Sequence, residues 1–539
     1  MSFEKIPLDE ERKNGFERQE VPIAEKFPLP DNFLEKMEKS GFSEHAETYK
    51  KVIELAEIIR ECGGKALLVG GGVRDFFMGK ISKDFDIEVY GLEASRIEEV
   101  IQPVGTVMEV GKAFGILKIR TESGLEIDVS LPRTDSKIDA GHRGFEIKTD
   151  PHMSIADAAR RRDFTMNSMA ADPLSGDIFD PFNGREDIKK RILRVTDPER
   201  FVDDPARVLR AIQFVGRFGM EIEKTSAEVI RELVPKLKEE PKERIGEEWK
   251  KLLLKSEKPS LGLNAGMNLG VFNEIHPELP PLAQTEQDPE WHPEGDVWIH
   301  TLMVIDEAAK IVNRENLEDD QKLSILLSSL CHDFGKPAVT EFKDNRIKSH
   351  GHEQAGEEPT KKFLSSIGID FRTRDKVVKL VTNHLIPTTF YIEENLRGRK
   401  VKDSSIRRLA ERIHPANIND LTLLAEADHL GRGSFDPEIR EQMFLPREKF
   451  PARQWLLKKA AGINAEMGRP ADVTRGRDWI NLGFRPGSEI GQLIRLSNEL
   501  RDEKSLSRDE ILNLVHTVSA AEEATEILLS RLGKNSNKK

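Results

Sequence analysis

The chain has 539 residues, too many for one hydrophobic core, so several domains are expected. Hydrophobic residues make up 37% of it and charged residues 33%, which is typical of a soluble, mostly folded protein. The net charge of −12 argues only mildly against a nucleic-acid partner, because binding needs no more than a local basic surface. The two cysteines exclude a disulfide framework and predict a cytoplasmic protein. No apolar run is long enough to cross a bilayer, so no membrane partner is expected.

The pattern of apolar and polar residues predicts an α+β multidomain protein with five regions. They are a polar extension (1–45), a mixed α/β head (46–154), an all-α neck and body (155–285), an all-α unit rich in histidine (286–440) and a helical tail (441–539).

In the head, a helical pattern over YKKVIELAEIIREC precedes four strand-like segments. These are KALLVGG, DFDIEVYG, VMEVGKAFGILKIR and GLEIDVSLPR. They alternate apolar with polar residues or are rich in Val and Ile, which predicts a small mixed sheet over about 60–135. After about residue 155 the pattern becomes helical, starting with SIADAARRRDFTMNSMA.

Carboxylates follow two of the predicted strands. Residues i and i+2 of a strand share one face, so Asp84, Asp86 and Glu88 are expected side by side, and Asp128 can join them from a later strand. Adjacent carboxylates repel unless a cation lies between them, and Mg²⁺ prefers such oxygen ligands together with substrate phosphates. A third acid would bridge to a second metal ion and activate a 3′-hydroxyl for in-line attack on a nucleoside triphosphate. Taken alone, however, a DxD pair is more often a solvated strand face.

The turn Gly70-Gly71-Gly72 follows a strand and opens a helix, where backbone N–H groups can bind phosphates. It lacks the GK[ST] ending of a P-loop and the spacing of a dinucleotide fingerprint. The turn therefore indicates a phosphate site of another kind.

Five ordered strings carry a family resemblance. The string LLVGGGVRDFFMGKISKDFDIEVYG is followed by ARRRDFTMNSMA, DPLSGDIFDPFNGREDIKKRILR, DDPARVLRA and PKERIGEEWKKLL. Over about 65–260 the chain thus resembles the class II tRNA nucleotidyltransferase and bacterial poly(A) polymerase superfamily. The resemblance implies that Asp84 and Asp86 bind the metal ions and that Asp128 is the third carboxylate.

The same resemblance implies a set of nucleotide-binding residues: Gly71, Arg74, Arg162, Asp204, Arg207 and Arg210. Asp204 and Arg207 would read the base edge of C or A, because a carboxylate and a guanidinium together offer both hydrogen-bond polarities. The alternative for this pair is an ordinary i,i+3 surface ion pair. Two positions depart from the family pattern, since Asp203 stands in place of Glu and Gln213 in place of a frequent Arg.

The implied function is the addition of CMP and AMP to the 3′ end of tRNA from CTP and ATP, with Mg²⁺ in the head. A poly(A) polymerase and an enzyme adding only CC or only A are alternatives. Against the first, VGKAFGILKIR lacks the GRRFRL-type string of those relatives. A rival of another class is an RNA-binding phosphohydrolase with an inactive head.

The second unit is rich in histidine. The dipeptide His332-Asp333 can present a nitrogen and an oxygen to one metal ion, with His300 and Asp428 as partners from other helices. Such a mixed set suits a first-row divalent metal with positions open to water.

The strings WHPE…IHTL, CHDFGK, HGH and EAD resemble the HD phosphohydrolase domain fused to certain bacterial CCA-adding enzymes. The resemblance implies that His300, His332, Asp333 and Asp428 bind a transition metal such as Ni²⁺, Mn²⁺ or Co²⁺. It leaves three histidines as candidates for phosphate contact or a second metal: His350, His352 and His384. It also implies phosphatase or 2′,3′-cyclic phosphodiesterase activity.

The tail string VTRGRDWINLGFRPGSEIGQLI resembles an arm that helps to hold RNA in some relatives. A helical packing module is an equally good interpretation. The sequence indicates no protein partner.

Overall fold

The computed structural model describes residues 27, 34, 43–80, 85–109, 116–120, 126–137, 145–433, 449–468, 471–518 and 520–534. The chain divides into two compact units. The first unit is Met1–Pro241 with Asn268–Glu274, and the second is Lys242–Met267 with Ile275–Lys539. Among the helices of the described ranges, none combines the length and the apolar character that a membrane span requires.

The first unit begins with a mixed α/β region. Its elements are α1 (Ser43–Glu61), β1 (Lys65–Val69), α2 (Gly71–Phe77), β2 (Asp86–Tyr90), α3 (Ala94–Ile101), a 3₁₀ turn (Gln102–Val104), β3 (Thr106–Glu109), β4 (Ile116–Arg120), β5 (Glu126–Ser130), β6 (Arg133–Lys137) and β7 (Phe145–Thr149).

Shorter strands and helices complete the first unit. They are α4 (Ile155–Ala159), a 3₁₀ turn (Thr165–Asn167), β8 (Ala170–Ala171), β9 (Ile178–Phe179), α5 (Gly184–Lys190), β10 (Ile192–Leu193), α6 (Pro198–Phe201), α7 (Arg207–Phe218), β11 (Glu221–Ile222), α8 (Lys224–Leu233) and a 3₁₀ segment (Val234–Glu239).

Seven strands form the main sheet, in the order β3-β4-β5-β2-β1-β8-β9. β2 pairs with β5 in parallel, and the other neighbours pair antiparallel. Ile87 and Val129 are directly opposite and buried, so the apolar residues of the two strands share one face. The strands and the first helix therefore lie where their sequence patterns predicted them.

The helix predicted over SIADAARRRDFTMNSMA is wrong. Only α4 is helical, and the segment ends in β8, which extends the sheet through the pairs Leu68–Ala171 and Val69–Ala170. The physical reason is a series of polar side chains that bond locally: Asp163 Oδ1 accepts from the Phe164 amide, and Ser168 Oγ donates to the Phe164 carbonyl. Such bonds compete with a continuing helix.

The second unit is mainly helical. Its elements are α9 (Lys242–Lys255), α10 (Pro259–Asn268), a 3₁₀ segment (Pro280–Gln284), α12 (Val297–Arg314), α13 (Asp319–Cys331), α14 (Lys336–Val339), β12 (Glu341–Lys343), β13 (Arg346–Lys348), α15 (His352–Ala355), α16 (Glu357–Ser366), α17 (Phe371–Val381), α18 (Ile386–Tyr391), a π segment (Ile392–Leu396), α19 (Asp403–Ile413), α20 (Ile418–Leu430), α21 (Pro451–Ala461), α22 (Gly476–Asn481), α23 (Ser488–Lys504), α24 (Arg508–Leu514) and α25 (Ala521–Leu532). The short helix α11 (Val271–Ile275), between α10 and the 3₁₀ segment, belongs to the first unit except for its last residue.

Helices α13 and α20 form the centre of this unit, because almost every residue of their C-terminal halves is buried. A hairpin, β12–β13, interrupts the helices that the sequence predicted. The last four helices pack around their own core, which includes Trp479 and Leu493. The architecture of a mixed α/β head followed by helical regions is thus confirmed.

Candidate functional sites

Two of the three predicted head acids meet in the sheet. β2 and β5 pair in parallel with Asp86 directly opposite Asp128. Residues paired in this way point to the same side of a sheet, so both carboxylates lie on the polar face. The Asp128 side chain is 45% exposed. Asp84, two residues before Asp86, lies outside the described residues, and the metal-binding role of all three stays a prediction.

A lysine of the neighbouring strand faces the same acids. Lys118 Nζ in β4 lies 3.0 Å from Glu126 Oε2 and 3.4 Å from Asp128 Oδ1. The hydrogen bond to Glu126 and the charge of Asp128 raise the pKa of Lys118. This ammonium partly offsets the negative charge that a divalent cation would neutralise.

The glycine turn lies against the acid pair. Gly70 has a φ of +70°, a conformation that glycine adopts without strain, and Gly71 begins α2. A Cβ atom on Gly70 would lie 3.0 Å from Arg162 Nη1 and 3.6 Å from Asp86 Oδ2. The turn, the guanidinium of Arg162 and the first acid therefore surround one small space.

Glu88 holds the two arginines of the RRD string. It is buried, and its Oε1 lies 2.9 Å from Arg161 Nη2 and 3.7 Å from Arg162 Nη2. Burial by itself would raise the pKa of Glu88, but the two guanidinium charges outweigh it and keep that pKa below its usual range. Tyr90 donates a further bond of 2.7 Å. Glu88 thus positions the arginines, a role that the sequence did not reveal.

Arg74 is buried and already bonded to protein groups. Its Nη1 donates to Asn167 Oδ1 at 2.8 Å, its Nε donates to Asp75 Oδ1 at 2.8 Å, and its guanidinium lies 4.9 Å from the ring centre of Phe218. The residue links α2, the 3₁₀ turn and α7. Its predicted contact with the triphosphate stays a prediction.

The pair predicted to read the base, Asp204 and Arg207, lies at the N-terminus of α7. Asp204 Oδ1 accepts from the Ala206 amide at 3.1 Å. Arg207 Nη1 and Nη2 donate to the carbonyls of Arg200 at 2.7 Å and Arg161 at 2.6 Å. Both side chains are therefore held by backbone groups at the start of one helix, and the Arg161 carbonyl of the RRD string fixes Arg207.

Arg210 is one turn further along α7 and binds the acid of the same string. Its Nε and Nη2 both lie 2.6 Å from Asp163 Oδ2. Burial alone would raise the pKa of Asp163, but Arg210 and the bond from Asn167 hold it below its usual range. The structure therefore gives Arg210 a stabilising partner in addition to its predicted role with nucleotide.

In the second unit, the four predicted metal ligands come together from two helices and the end of a third. His300 Nε2 in α12 lies 3.2 Å from Asp428 Oδ1 in α20 and 3.3 Å from His332 Nε2, directly after α13. Asp333 Oδ2 lies 3.1 Å from His332 Nε2 and 3.8 Å from His300 Nε2. Asp333 therefore joins the cluster of His300, His332 and Asp428.

A second cluster shares the same aspartate. The other oxygen, Asp333 Oδ1, lies 3.4 Å from His352 Nε2, which is 3.4 Å from His384 Nε2. Two of the three histidines left open by the sequence thus form a second group of ligand atoms within 4.8 Å of one another. His350 is exposed and does not belong to this group.

The hydrogen bonds of the ring nitrogens test whether a metal fits. The Nδ1 atoms of His332, His352 and His384 lie 2.7–2.8 Å from backbone carbonyls, which only accept. Each Nδ1 must therefore carry the proton, and in a neutral ring each Nε2 turns a lone pair towards the others. Both oxygens of Asp333 are buried without a well-aligned hydrogen bond. Lone pairs and carboxylate oxygens that face one another fit divalent metal ions.

Three supporting residues escaped the sequence analysis. Glu294 Oε1 lies 2.8 Å from His300 Nδ1, Lys336 Nζ lies 2.8 Å from Asp333 Oδ2, and Arg432 Nη2 lies 3.0 Å from Asp428 Oδ2. Burial would raise the pKa of Asp428, but Arg432 and His300 outweigh it and keep the pKa well below its usual range. All three occur within or beside the strings that carried the resemblance, and only the distances assign their roles.

Three family models match the chain in the order of these regions. The Poly A polymerase head domain matches residues 66–194, the probable RNA and SrmB-binding site of polymerase A matches 219–282, and the HD domain matches 297–430. The Multifunctional CCA protein of Xanthomonas campestris pv. campestris (strain B100) is 34% identical over 373 residues, which are 68% of this chain and 85% of that protein. The chain belongs to the multifunctional CCA protein family.

A second relative, the Multifunctional CCA protein of Laribacter hongkongensis, is 30% identical over 72% of this chain and 91% of its own length. Among solved structures, the Bacillus stearothermophilus CCA-adding enzyme in complex with CTP is similar in fold, with a TM-score of 0.59 and 19% identity over 90% of this chain and 98% of that one. The Thermotoga maritima CCA-adding enzyme complexed with tRNA_CCA has a TM-score of 0.54 at 19% identity, covering 94% of this chain and all of that one. This member of the family is therefore a nucleotidyltransferase with an HD domain, as the sequence predicted.

Proposed function

We propose that this chain adds CMP and AMP to the 3′ end of tRNA from CTP and ATP and releases pyrophosphate. The observation that carries the proposal is the parallel register that pairs Asp86 with Asp128, beside the turn at Gly70. Multifunctional CCA proteins among the relatives, and CCA-adding enzymes of similar fold solved with tRNA_CCA, CTP and ATP, support the choice of substrates.

The acids would hold Mg²⁺, together with Asp84, because opposed carboxylates with an open polar face suit a hard cation. Two such ions would neutralise the triphosphate and activate the 3′-hydroxyl of the RNA. The residues of the chain supply the rest. Arg162, beside the glycine turn, would bind the triphosphate, while Asp204 and Arg207 offer an acceptor and donors to the base edge.

We also propose that the second unit hydrolyses phosphate esters at RNA ends, as a 2′,3′-cyclic phosphodiesterase or a phosphatase. Two neighbouring clusters of ligand atoms, bridged by the two oxygens of Asp333, favour this second function. A transition metal such as Ni²⁺, Mn²⁺ or Co²⁺ would supply an activated water there. Glu294 would orient His300, and Lys336 and Arg432 would keep the aspartates ionised.

The test of the first proposal supplies tRNA lacking CCA with labelled CTP or ATP, singly and together. Incorporation of C, C and then A, followed by arrest, supports CCA addition. A long ladder of A alone would identify a poly(A) polymerase, and growth that stops after CC, or only A on a CC end, would identify a partial enzyme. Absence of incorporation with phosphate release from RNA ends would favour the rival with an inactive head.

The test of the second proposal measures hydrolysis of 2′,3′-cyclic AMP and of 2′-AMP after removal of bound metal and addition of Mn²⁺, Ni²⁺ or Co²⁺. We expect activity to return with at least one metal in the wild type and to stay absent in His384→Ala. Equal activity in the chelated and the metal-loaded protein would exclude a metal-dependent hydrolase.

A further inference from the structure

The second unit contains a cavity of about 450 Å³. Residues of the two predicted metal clusters form one part of its wall, among them Asp333, His384 and Asp428. Another part of its lining is Trp291, Arg346 and Lys348, which belong to no metal-ligand group. The volume is within the range of small-molecule sites. The cavity is thus larger than a metal centre needs, and its second part is available to the organic portion of a substrate.

Trp291 is the aromatic residue of that second part, and it is 45% exposed. Within the described ranges its indole contacts no other aromatic ring and no cation. An indole that is exposed on a cavity wall does not contribute the hydrophobic stabilisation of a buried Trp. Its flat π face is available to a planar ligand.

The loop that carries Trp291 is fastened to the metal-ligand residues at both ends. At one end Gln287 Oε1 accepts from Lys336 Nζ at 2.7 Å, and the same ammonium lies 2.8 Å from Asp333 Oδ2. At the other end Glu294 contacts His300. The Trp291 amide donates to the Asp288 carbonyl at 3.1 Å, which closes the turn between these anchors. The backbone at Trp291 is therefore held near the ligand clusters.

The hairpin β12–β13 supplies two cationic side chains to the same wall, Arg346 and Lys348, and both are paired with carboxylates. Lys348 Nζ lies 2.6 Å from Asp344 Oδ2. Arg346 Nε donates to Asp288 Oδ2 at 3.0 Å, and Arg346 also bonds to Glu290, so the hairpin is held to the loop of Trp291. Lys348, next but one along β13, lines the cavity as well. A flat aromatic face beside cationic groups suits a nucleobase attached to a phosphodiester backbone.

We infer that Trp291 is a base-stacking residue, and that the cavity takes the terminal nucleoside phosphate of an RNA 3′ end. The phosphate would lie at the side of Asp333 and His384, and the base against the indole. Trp291 is then a positioning residue that makes the unit prefer nucleotides to simple phosphate esters. This inference rests on the proposed hydrolase function of the same unit, to which it adds a residue that determines specificity.

The experiment compares the wild type with Trp291→Ala, Trp291→Phe and the control Phe371→Ala, which removes another exposed aromatic residue outside the cavity lining. The substrates are 2′,3′-cyclic AMP and, without a base, glycerol 1,2-cyclic phosphate, with Mn²⁺, Ni²⁺ or Co²⁺ added. We expect Trp291→Ala to raise KM for the nucleotide about 10- to 100-fold with little change in kcat, and to leave glycerol 1,2-cyclic phosphate unaffected. Trp291→Phe should recover most of the loss.

A binding measurement keeps the inference separate from the hydrolase proposal. The affinity for 2′-AMP, measured by calorimetry, should fall by a similar factor in Trp291→Ala and not in Phe371→Ala. If the wild type hydrolyses neither substrate, the hydrolase proposal fails, and this affinity still decides the role of Trp291. An unchanged affinity, or an equal loss of activity with both substrates, would overturn the inference. A tetranucleotide that ends in a 2′,3′-cyclic phosphate should show the same dependence on Trp291, whereas dependence confined to the mononucleotide would contradict the assignment to RNA ends.

Discussion

The two sites differ in how closely the fold itself brings the site residues together. In the second unit, His300, His332, Asp333 and Asp428 are 0–4% exposed, and their ligand atoms already face one another. In the first unit, Asp128 is 45% exposed, and Lys118 lies beside it. One site is closed and complete, while the other is an open polar face on a sheet.

The difference has a physical cause. Buried lone pairs and carboxylates are costly unless a cation or a proton satisfies them, so the HD ligands imply resident metal ions. Exposed acids are solvated by water and tolerate the absence of an ion, so the head metals can arrive with the triphosphate. The comparison predicts that the two sites carry out their reactions independently. It also predicts that metal ions stabilise the second unit more than the first.

The largest expected effect separates the two activities. Asp86→Ala should lower nucleotide incorporation by about 10³-fold or more, because it removes one of the acids that would hold the metals. Asp333→Asn should lower hydrolysis by a similar factor, because both ligand clusters share this carboxylate. Each variant should retain the other activity, which is measured on the same preparation with labelled CTP and with 2′,3′-cyclic AMP.

Thermal unfolding of each variant is the control for misfolding. Loss of both activities in either variant with unchanged unfolding would mean that the sites are not independent, and the comparison would then be wrong.

A smaller effect is expected for the ion pair of Arg210 and Asp163, which holds α7 against the RRD string. Arg210→Met leaves Asp163 buried without its guanidinium, which should lower the free energy of unfolding by about 2–3 kcal/mol. Because the Arg210 side chain is 35% exposed, we expect a loss of stability at the lower end of the range that is typical of broken buried ion pairs. Urea unfolding measures the change, with Lys190→Ala as the matched control. Lys190 pairs with Glu186 on the surface and should contribute no more than about 0.5 kcal/mol.

The same variants test the predicted nucleotide contact of Arg210. Asp163→Asn removes the carboxylate but keeps the guanidinium. If Arg210 binds nucleotide directly, Arg210→Met raises KM for CTP and ATP, and Asp163→Asn does not. Equal changes in KM would show that Arg210 acts only through the stability of the helix.

The sequence predicted what contiguous residues encode. Alternation along DFDIEVYG and GLEIDVSLPR was sufficient to predict two strands and the shared face of Asp86 and Asp128. The strings around His300, His332-Asp333 and Asp428 named residues that the structure brings together, while their binding of metal stays a prediction. Contacts between residues that are far apart in the sequence have no such local pattern. The bonds of Arg210 to Asp163 and of Arg161 to Glu88 depend on how helices, strands and turns pack, and β8 has only two residues, too few to show a period.

The smallest expected effect is a pH dependence that arises in the second unit. His276 is fully buried, and its Nε2 accepts from Trp249 Nε1 at 2.9 Å, so the ring is held neutral. Burial lowers the pKa of His276 to about 3. In the unfolded chain its pKa is about 6.5, so between these values the unfolded state binds the extra proton and acid favours unfolding.

From pH 7 to pH 5 this histidine should therefore lower the free energy of unfolding by about 2 kcal/mol. In the first unit, the pKa values of Glu88 and Asp163 are lowered on folding, so these acids begin to lose their contribution to stability only when the pH falls to about 4, the pKa of unfolded carboxyl groups. The second unit should therefore lose stability first. His276→Gln can keep an acceptor for Trp249 without a titratable group, and it should remove about one proton from the pH dependence of unfolding, measured by urea titration at several pH values. The free energy of unfolding of the wild type and of His276→Gln could instead fall with the same slope between pH 7 and pH 5. The ring would then be protonated or solvated in the folded protein, and the hydrogen bond from Trp249 could not keep it neutral.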